Sequence, residues 1–221
     1  MSLFRLDASI RTEGSASRAI ADLVEASWRE HRPGDAITTR HLGLDPVPAG
    51  AWGAAVAAGW TPAEQRSPEQ VVAVDLAATL ADELIDADAL LFAVPLYNFG
   101  VSQHFKTWVD LVLTDPRLSP ASGGAPLAGK PAVLATVRGG NYSPDTPRHG
   151  WDHATPWMRR ILADVWQLDL DVVEREFTLV GVNPALDEFT AVADELRVEA
   201  EANARRTGHS LAHRQSALAV A

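Results

Sequence analysis

Three short stretches carry residue types that could do chemistry together. The first runs Ser9-Ile10-Arg11-Thr12-Glu13-Gly14-Ser15-Ala16-Ser17 and sets hydroxyls where a helix begins. The unpaired N–H groups and positive dipole end of a helix start form an anion site, and serine hydroxyls donate to phosphate oxygens without adding charge. An ordinary N-cap at Ser15 or Ser17 explains the same residues. No G-x-G-x-x-G and no Gly-Lys-Ser/Thr occurs, so this is neither a dinucleotide fingerprint nor a P-loop. The second stretch is Pro95-Leu96-Tyr97-Asn98-Phe99-Gly100. Aromatic and apolar groups here suit the face of a flat heteroaromatic ring, with Asn98 and main-chain groups for its polar edge. Core aromatics beside a helix cap would look alike. The third is Val137-Arg138-Gly139-Gly140-Asn141-Tyr142-Ser143. Paired glycines at a strand end let a backbone approach a ligand closely, and they also make an ordinary turn.

These stretches need elements to hold them. Residues 3–8 read as a first strand, a helical face follows from Ser17 through Trp28, and Ile37–Leu42 reads as a second strand. Residues 43–68 mix prolines and glycines with Trp52 and Trp60, a structured excursion rather than a linker. Pro68 suits a first helical position, with the helix reaching Asp86. The apolar run 89–94 reads as a central strand buried on both faces. A stripe from Val101 to Val112 is helical, 131–136 a fourth strand, Thr155–Gln167 a helix, 171–180 a fifth strand and Pro184–Arg206 a last helix. Strands alternating with helices predict one open, doubly wound parallel α/β sheet, with ligands beyond the carboxyl ends of its strands. The expected domain is 1–207, with a flexible tail over 208–221.

Composition narrows the function. The chain has 221 residues, 47% of them apolar, and a formal net charge of -10. That is enough apolar material for a core, and no basic footprint for nucleic acid. With no cysteine, thiol chemistry and Cys-ligated metal centres are excluded. The N-terminus does not read as a signal peptide and no long apolar run spans a membrane, so a cytoplasmic protein is expected.

Two histidine pairs at four-residue spacing, His149/His153 and His209/His213, would share a face on a helix. The first falls in a Gly/Pro-rich loop and the second in the expected tail, so no metal site is expected. His149 could instead meet substrate or a nicotinamide. Trp60 and Trp151 fall in segments expected to flank the ligand.

Together, Ser9…Ser15-x-Ser17, residues 89–112 (ALLFAVPLYNFGVSQHFKTWVDLV), residues 127–134 (LAGKPAVL) and Arg138-Gly139-Gly140 resemble the FMN-dependent NADH azoreductases, which also reduce quinones. The resemblance covers roughly residues 1–180. It implies a flavodoxin-like fold with five parallel strands in the order 2-1-3-4-5, non-covalent FMN, NADH or NADPH as donor, and a homodimer whose subunits both line each flavin site. It implies that Ser9, Ser15 and Ser17, with the Ala16 main chain, hold the FMN phosphate. Pro95, Leu96, Tyr97, Asn98 and Phe99, with Val137, Arg138, Gly139 and Gly140, surround the ring. Trp60, Asn141, Tyr142, Trp151 and Asp164 are the candidate substrate residues. No side chain acts as nucleophile; hydride passes through the cofactor to a quinone, azo or related aromatic acceptor.

The departures bear on the acceptor. Val137 stands where the family usually has serine, and Asp115-Pro116-Arg117-Leu118 lacks an aromatic. Leu162-Ala163-Asp164-Val165-Trp166 replaces a Leu-Gly-Phe stretch. Two other readings remain open: a flavodoxin-type FMN electron carrier without its own substrate, and a tailoring reductase of an aromatic intermediate. A flavin-free binding protein on the same fold is a third.

Overall fold

The computed structural model describes residues 1–122 and 124–214. Five parallel strands form the sheet: β1 (Ser2–Asp7), β2 (Ala36–His41), β3 (Ala89–Tyr97), β5 (Pro131–Val137) and β6 (Asp169–Arg175). Their spatial order is β2-β1-β3-β5-β6, the expected order for the five long strands. The sixth, β4 (Gly100–Val101), was not expected; it folds back antiparallel on the end of β3.

The helices are α1 (Ala16–His31), α2 (Ala51–Ala58), α3 (Pro68–Asp86), α4 (Gln103–Val112), α5 (Thr155–Arg159) and α6 (Thr190–His213). Period-two alternation of β3 divides the core. Leu90, Phe92 and Val94 pack with residues of α2 to α5, while Ala89, Leu91 and Ala93 pack under α1 and α6. Local chemistry starts the helices. Ser67 and Gln70 form a reciprocal capping box with Pro68 at the first position of α3, and Ser102 caps α4. No helix among the described residues is long and apolar enough to cross a membrane.

Several boundaries differ from the expectation. The 43–68 excursion contains α2, an Ala-rich helix. The helix expected over Thr155–Gln167 changes after α5 into a π-helical turn, Arg160–Val165. The last strand ends at Arg175, and residues 176–183 turn away with Phe177 at φ 54°.

The expected tail is also corrected in part. Helix α6 continues through His213, with Leu211 and Ala212 fully buried. Gly208 does not stop it. A Cβ there would lie 2.4 Å from the Val24 carbonyl oxygen and 2.9 Å from Ser27 Cβ, so glycine lets α6 settle directly on α1. Residues 215–221 lie outside the described residues.

Candidate functional site

The parallel register carries the ends of β1, β3 and β5 to one edge of the sheet, so the three loops emerge side by side. The first loop leaves β1 and turns into α1. Ser15 is the N-cap, its hydroxyl accepting from the Arg18 N–H at 3.4 Å, and it lies 3.2 Å from the Ser17 hydroxyl. The cap reading is therefore correct for Ser15, and it does not exclude the anion reading. Ser9, Ser15 and Ser17 are all buried, and Ala16 opens the helix whose first N–H groups have no intrahelical acceptor. The Arg18 guanidinium closes the loop from outside. It donates to the carbonyls of Arg11 and Thr12 and contacts the His41 ring.

Tyr97 joins this loop to the next. Its hydroxyl lies 3.2 Å from the Ser9 hydroxyl and accepts from the Ile10 N–H at 3.3 Å. Beyond Pro95 and Leu96, Tyr97 pairs with Gly100 across a two-residue turn in which Asn98 (φ 48°) and Phe99 (φ 66°) are both left-handed. Asn tolerates that conformation; Phe does so at a cost, and such strain collects at ligand clamps. The Phe99 carbonyl accepts from the His153 N–H. Its half-exposed ring lies 5.3 Å from Trp151 and 6.4 Å from Tyr142, with the Arg148 guanidinium 6.0 Å from its centre. Tyr142 and Trp151 thus meet the ring segment. His149 and His153 sit in an irregular stretch, not on a helix.

The third loop is held by charge. The Arg138 side chain enters a nest of acceptors: Asp152 at 2.7 Å, Glu174 at 3.0 Å, Glu176 at 3.2 Å and the Thr155 hydroxyl at 3.2 Å. Burial opposes its charge, but Glu174 and Asp152 hold its pKa above the ordinary value. Burial likewise acts against the Asp152 carboxylate, and the Thr155 N–H and hydroxyl, Arg138 and the Ala154 N–H outweigh it, leaving its pKa lowered. Glu176 also accepts from the Tyr142 N–H at 3.0 Å and the Ser143 hydroxyl at 2.9 Å. The Arg138 main chain is committed as well: its N–H donates to the Arg175 carbonyl and its carbonyl accepts from the Thr178 N–H and hydroxyl, so Arg138 holds the loop in which Val137, Gly139 and Gly140 sit. The two glycines already admit protein. A Cβ on Gly139 would strike Leu179, and one on Gly140 would press on Arg148.

Two expected substrate residues stand apart. Trp60 is 87% exposed just after α2. Asp164 is exposed on the π-helical turn and pairs with Arg160 at 2.8 Å, which offsets its charge. Asn141 turns its side-chain oxygen onto the Ser143 N–H. Sequence reasoning missed Asp152, Glu174 and Glu176. No local signal marks them, because they lie 14 to 38 residues from Arg138 and meet it only in the fold.

The donor set fits FMN. Buried hydroxyls and helix-start amides suit a phosphate, and the strained aromatic turn beside a glycine strand end suits a flat ring.

Comparison with known proteins agrees. Residues 1–196 match a family model described as flavodoxin-like fold. The chain is 41% identical over 204 residues to an FMN-dependent NADH:quinone oxidoreductase of Frankia casuarinae, spanning 92% of this chain and 96% of that one. A protein of the same description from Parafrankia sp. is 37% identical over the same shares. Among solved structures, an azoreductase from Bacillus anthracis superposes with a TM-score of 0.73 at 18% identity, covering 95% of this chain and 99% of that one. With both fold and sequence in agreement, the chain belongs to the flavodoxin-like family, among the FMN-dependent NADH:quinone oxidoreductases.

Proposed function

We propose that this chain binds FMN across the three loops and uses it to reduce a quinone or related flat acceptor with electrons from NADH. The observation that carries this is the junction at Tyr97, which ties the hydroxyl loop to the strained aromatic turn. When bound, FMN supplies two-electron transfer between nicotinamide and acceptor. The protein's own work is placement. Ser9, Ser15, Ser17 and the start of α1 hold the phosphate, while Leu96–Phe99 and the main chain of residues 137–140 border the ring. Phe99, Tyr142 and Trp151 provide aromatic surface for the acceptor. The family's function favours this reading over an electron carrier without its own substrate.

Two measurements test the reading. The purified protein should be yellow and be bleached anaerobically by NADH, then recoloured by a quinone. Replacing Ser15 and Ser17 together by Ala should weaken FMN binding by about 1–3 kcal/mol, since phosphate oxygens lose donors. Unchanged affinity in that variant would sink the phosphate assignment.

The working unit is a homodimer. Leu44, Trp52, Val56 and Trp60 expose apolar surface on the α2 segment, and Trp52 and Val56 share one helix face. In a dimer this face, Trp60 included, is covered. Light scattering should give twice the chain mass; a fully active monomer would overturn this.

A further inference from the structure

Three imidazoles converge at the edge of the molecule opposite the three loops. His31 lies in the last turn of α1, and His209 and His213 are one turn apart at the end of α6. Ring centroids are 4.4 Å apart for His31 and His209, 4.9 Å for His31 and His213, and 4.4 Å for His209 and His213. One ring nitrogen of each lies within 4.8 Å of the others.

The fold builds this cluster deliberately close. Glycine at 208 removes the Cβ that would hold α6 off α1, and so brings the next residue, His209, against His31. The Arg32 side chain donates to the Ala212 carbonyl at 2.8 Å and ties the two helix ends together. Two of the rings are also oriented. His31 Nδ1 faces the Ser27 carbonyl at 3.0 Å, and His213 Nδ1 faces the His209 carbonyl at 2.7 Å. A nitrogen facing a carbonyl carries the proton, which leaves Nε2 of each neutral ring with a free lone pair. A backbone carbonyl behind the ring is the outer contact that metal-ligating histidines use. Both helices end here, and helix C-termini favour a cation. Glu30 borders the same hollow, opposed by Arg205 and Arg206.

We propose that His31, His209 and His213 bind one divalent transition-metal ion, with zinc the best match. Three imidazoles supply ligands of the kind zinc takes, and the exposed side leaves the fourth position to water. A tetrahedral ion with Zn–N bonds of about 2.0–2.1 Å needs its nitrogens roughly 3.3 Å apart. Binding therefore requires the three exposed rings to close in from their present separation of up to 4.8 Å. The ion clips the end of α6 to α1. Because the far end of α1 carries the flavin loop, the site acts on stability and stands independently of the flavin assignment.

The test uses full-length, tag-free protein stripped with chelator, then titrated with zinc at pH 8 against a chromophoric chelator. One zinc should bind per chain. Affinity should fall at least about tenfold in each of His31→Ala, His209→Ala and His213→Ala, because even an outer-shell partner is worth that much to a metal site. Zinc should raise the unfolding temperature of the wild type and not of the variants. Cobalt(II) in the wild type should give an intense visible band at wavelengths beyond the flavin absorption, as tetrahedral coordination requires. That reading needs no variant to fold, and His→Gln substitutions provide a second, bulkier set. Absence of saturable binding, a weak octahedral cobalt spectrum, or affinity indifferent to all three positions would overturn the proposal.

Discussion

Arg138→Met removes the guanidinium that holds the third loop, and its cost can be worked from the contacts it leaves behind. Glu174 is 40% exposed and returns to water at little cost. Glu176 keeps the Tyr142 N–H and the Ser143 hydroxyl. Asp152 keeps the N–H groups of Ala154 and Thr155. Two mostly buried carboxylates therefore lose their counter-ion but not their other donors. Breaking a buried pair by removing one partner costs about 3–5 kcal/mol, and the surviving donors put the expected loss near the bottom of that range, about 3 kcal/mol. The methionine stem fills the arginine's apolar volume, so no large cavity adds to it.

The assay is urea denaturation of both proteins, with FMN titration beside it. At pH 7 the variant should lose about 3 kcal/mol at unchanged m-value. FMN affinity should fall too, because the guanidinium no longer ties the third loop to Asp152, Glu174 and Thr155. Acid should narrow the stability difference. The lowered pKa of Asp152 contributes stability above the ordinary carboxylate value, and that contribution is lost as pH falls through its native value. A loss under about 1 kcal/mol at pH 7, or a gap that widens in acid, would refute the reasoning.

Phe99→Gly separates strain from recognition. It relieves about 1 kcal/mol of left-handed strain while giving up the contacts with Trp151 and Tyr142, so stability should move by less than about 1 kcal/mol and FMN affinity should drop. Thermal unfolding and flavin-fluorescence titration read the two effects, and equal losses in both would contradict the idea. Lys130 donates to the Leu84 and Ile85 carbonyls at the end of α3, and burial, against the pull of Asp88 and Asp86, lowers its pKa to about 8. Between that value and the unfolded 10.5 the unfolded chain holds a proton the native one has shed, so wild-type stability gains up to about 3 kcal/mol as pH rises. Lys130→Met should lack that gain, and a wild-type-minus-variant difference that stays flat from neutral to alkaline pH would count against the shift.

The sheet order and the three loops were legible because their signals are local. An apolar run flanked by turn residues reports a buried strand, and Ser15 ahead of a helical stripe reports a helix start. The salt-bridge nest was not legible. Glu174 lies in β6, Arg138 and Glu176 directly follow β5 and β6, and Asp152 lies in a loop; the β5–β6 register, which sets Val137 opposite Arg175, brings the first three together. Hairpin β4 was missed for a related reason. Asn98-Phe99 looks like aromatic lining, and the left-handed conformation of Phe99 runs against its type, so it exists only because Tyr97–Gly100 pairing, Trp151 and His153 overdetermine it.

Gly208 shows how one residue type can carry two physical meanings. Its missing Cβ makes a helix easy to end, and it equally makes two helices easy to bring into contact. In the sequence only the first meaning is visible, since nothing nearby names Val24 or Ser27 as neighbours. Taking the first meaning ends the domain at residue 207 and turns His209 and His213 into tail residues on no defined face. The second keeps α6 intact for another turn and a half, buries Leu211 and Ala212, and sets both imidazoles beside His31. The same glycine therefore decides both where the fold ends and whether a third ligand meets the pair. A Gly208→Ala chain should accordingly lose the His31 contact before it loses the helix.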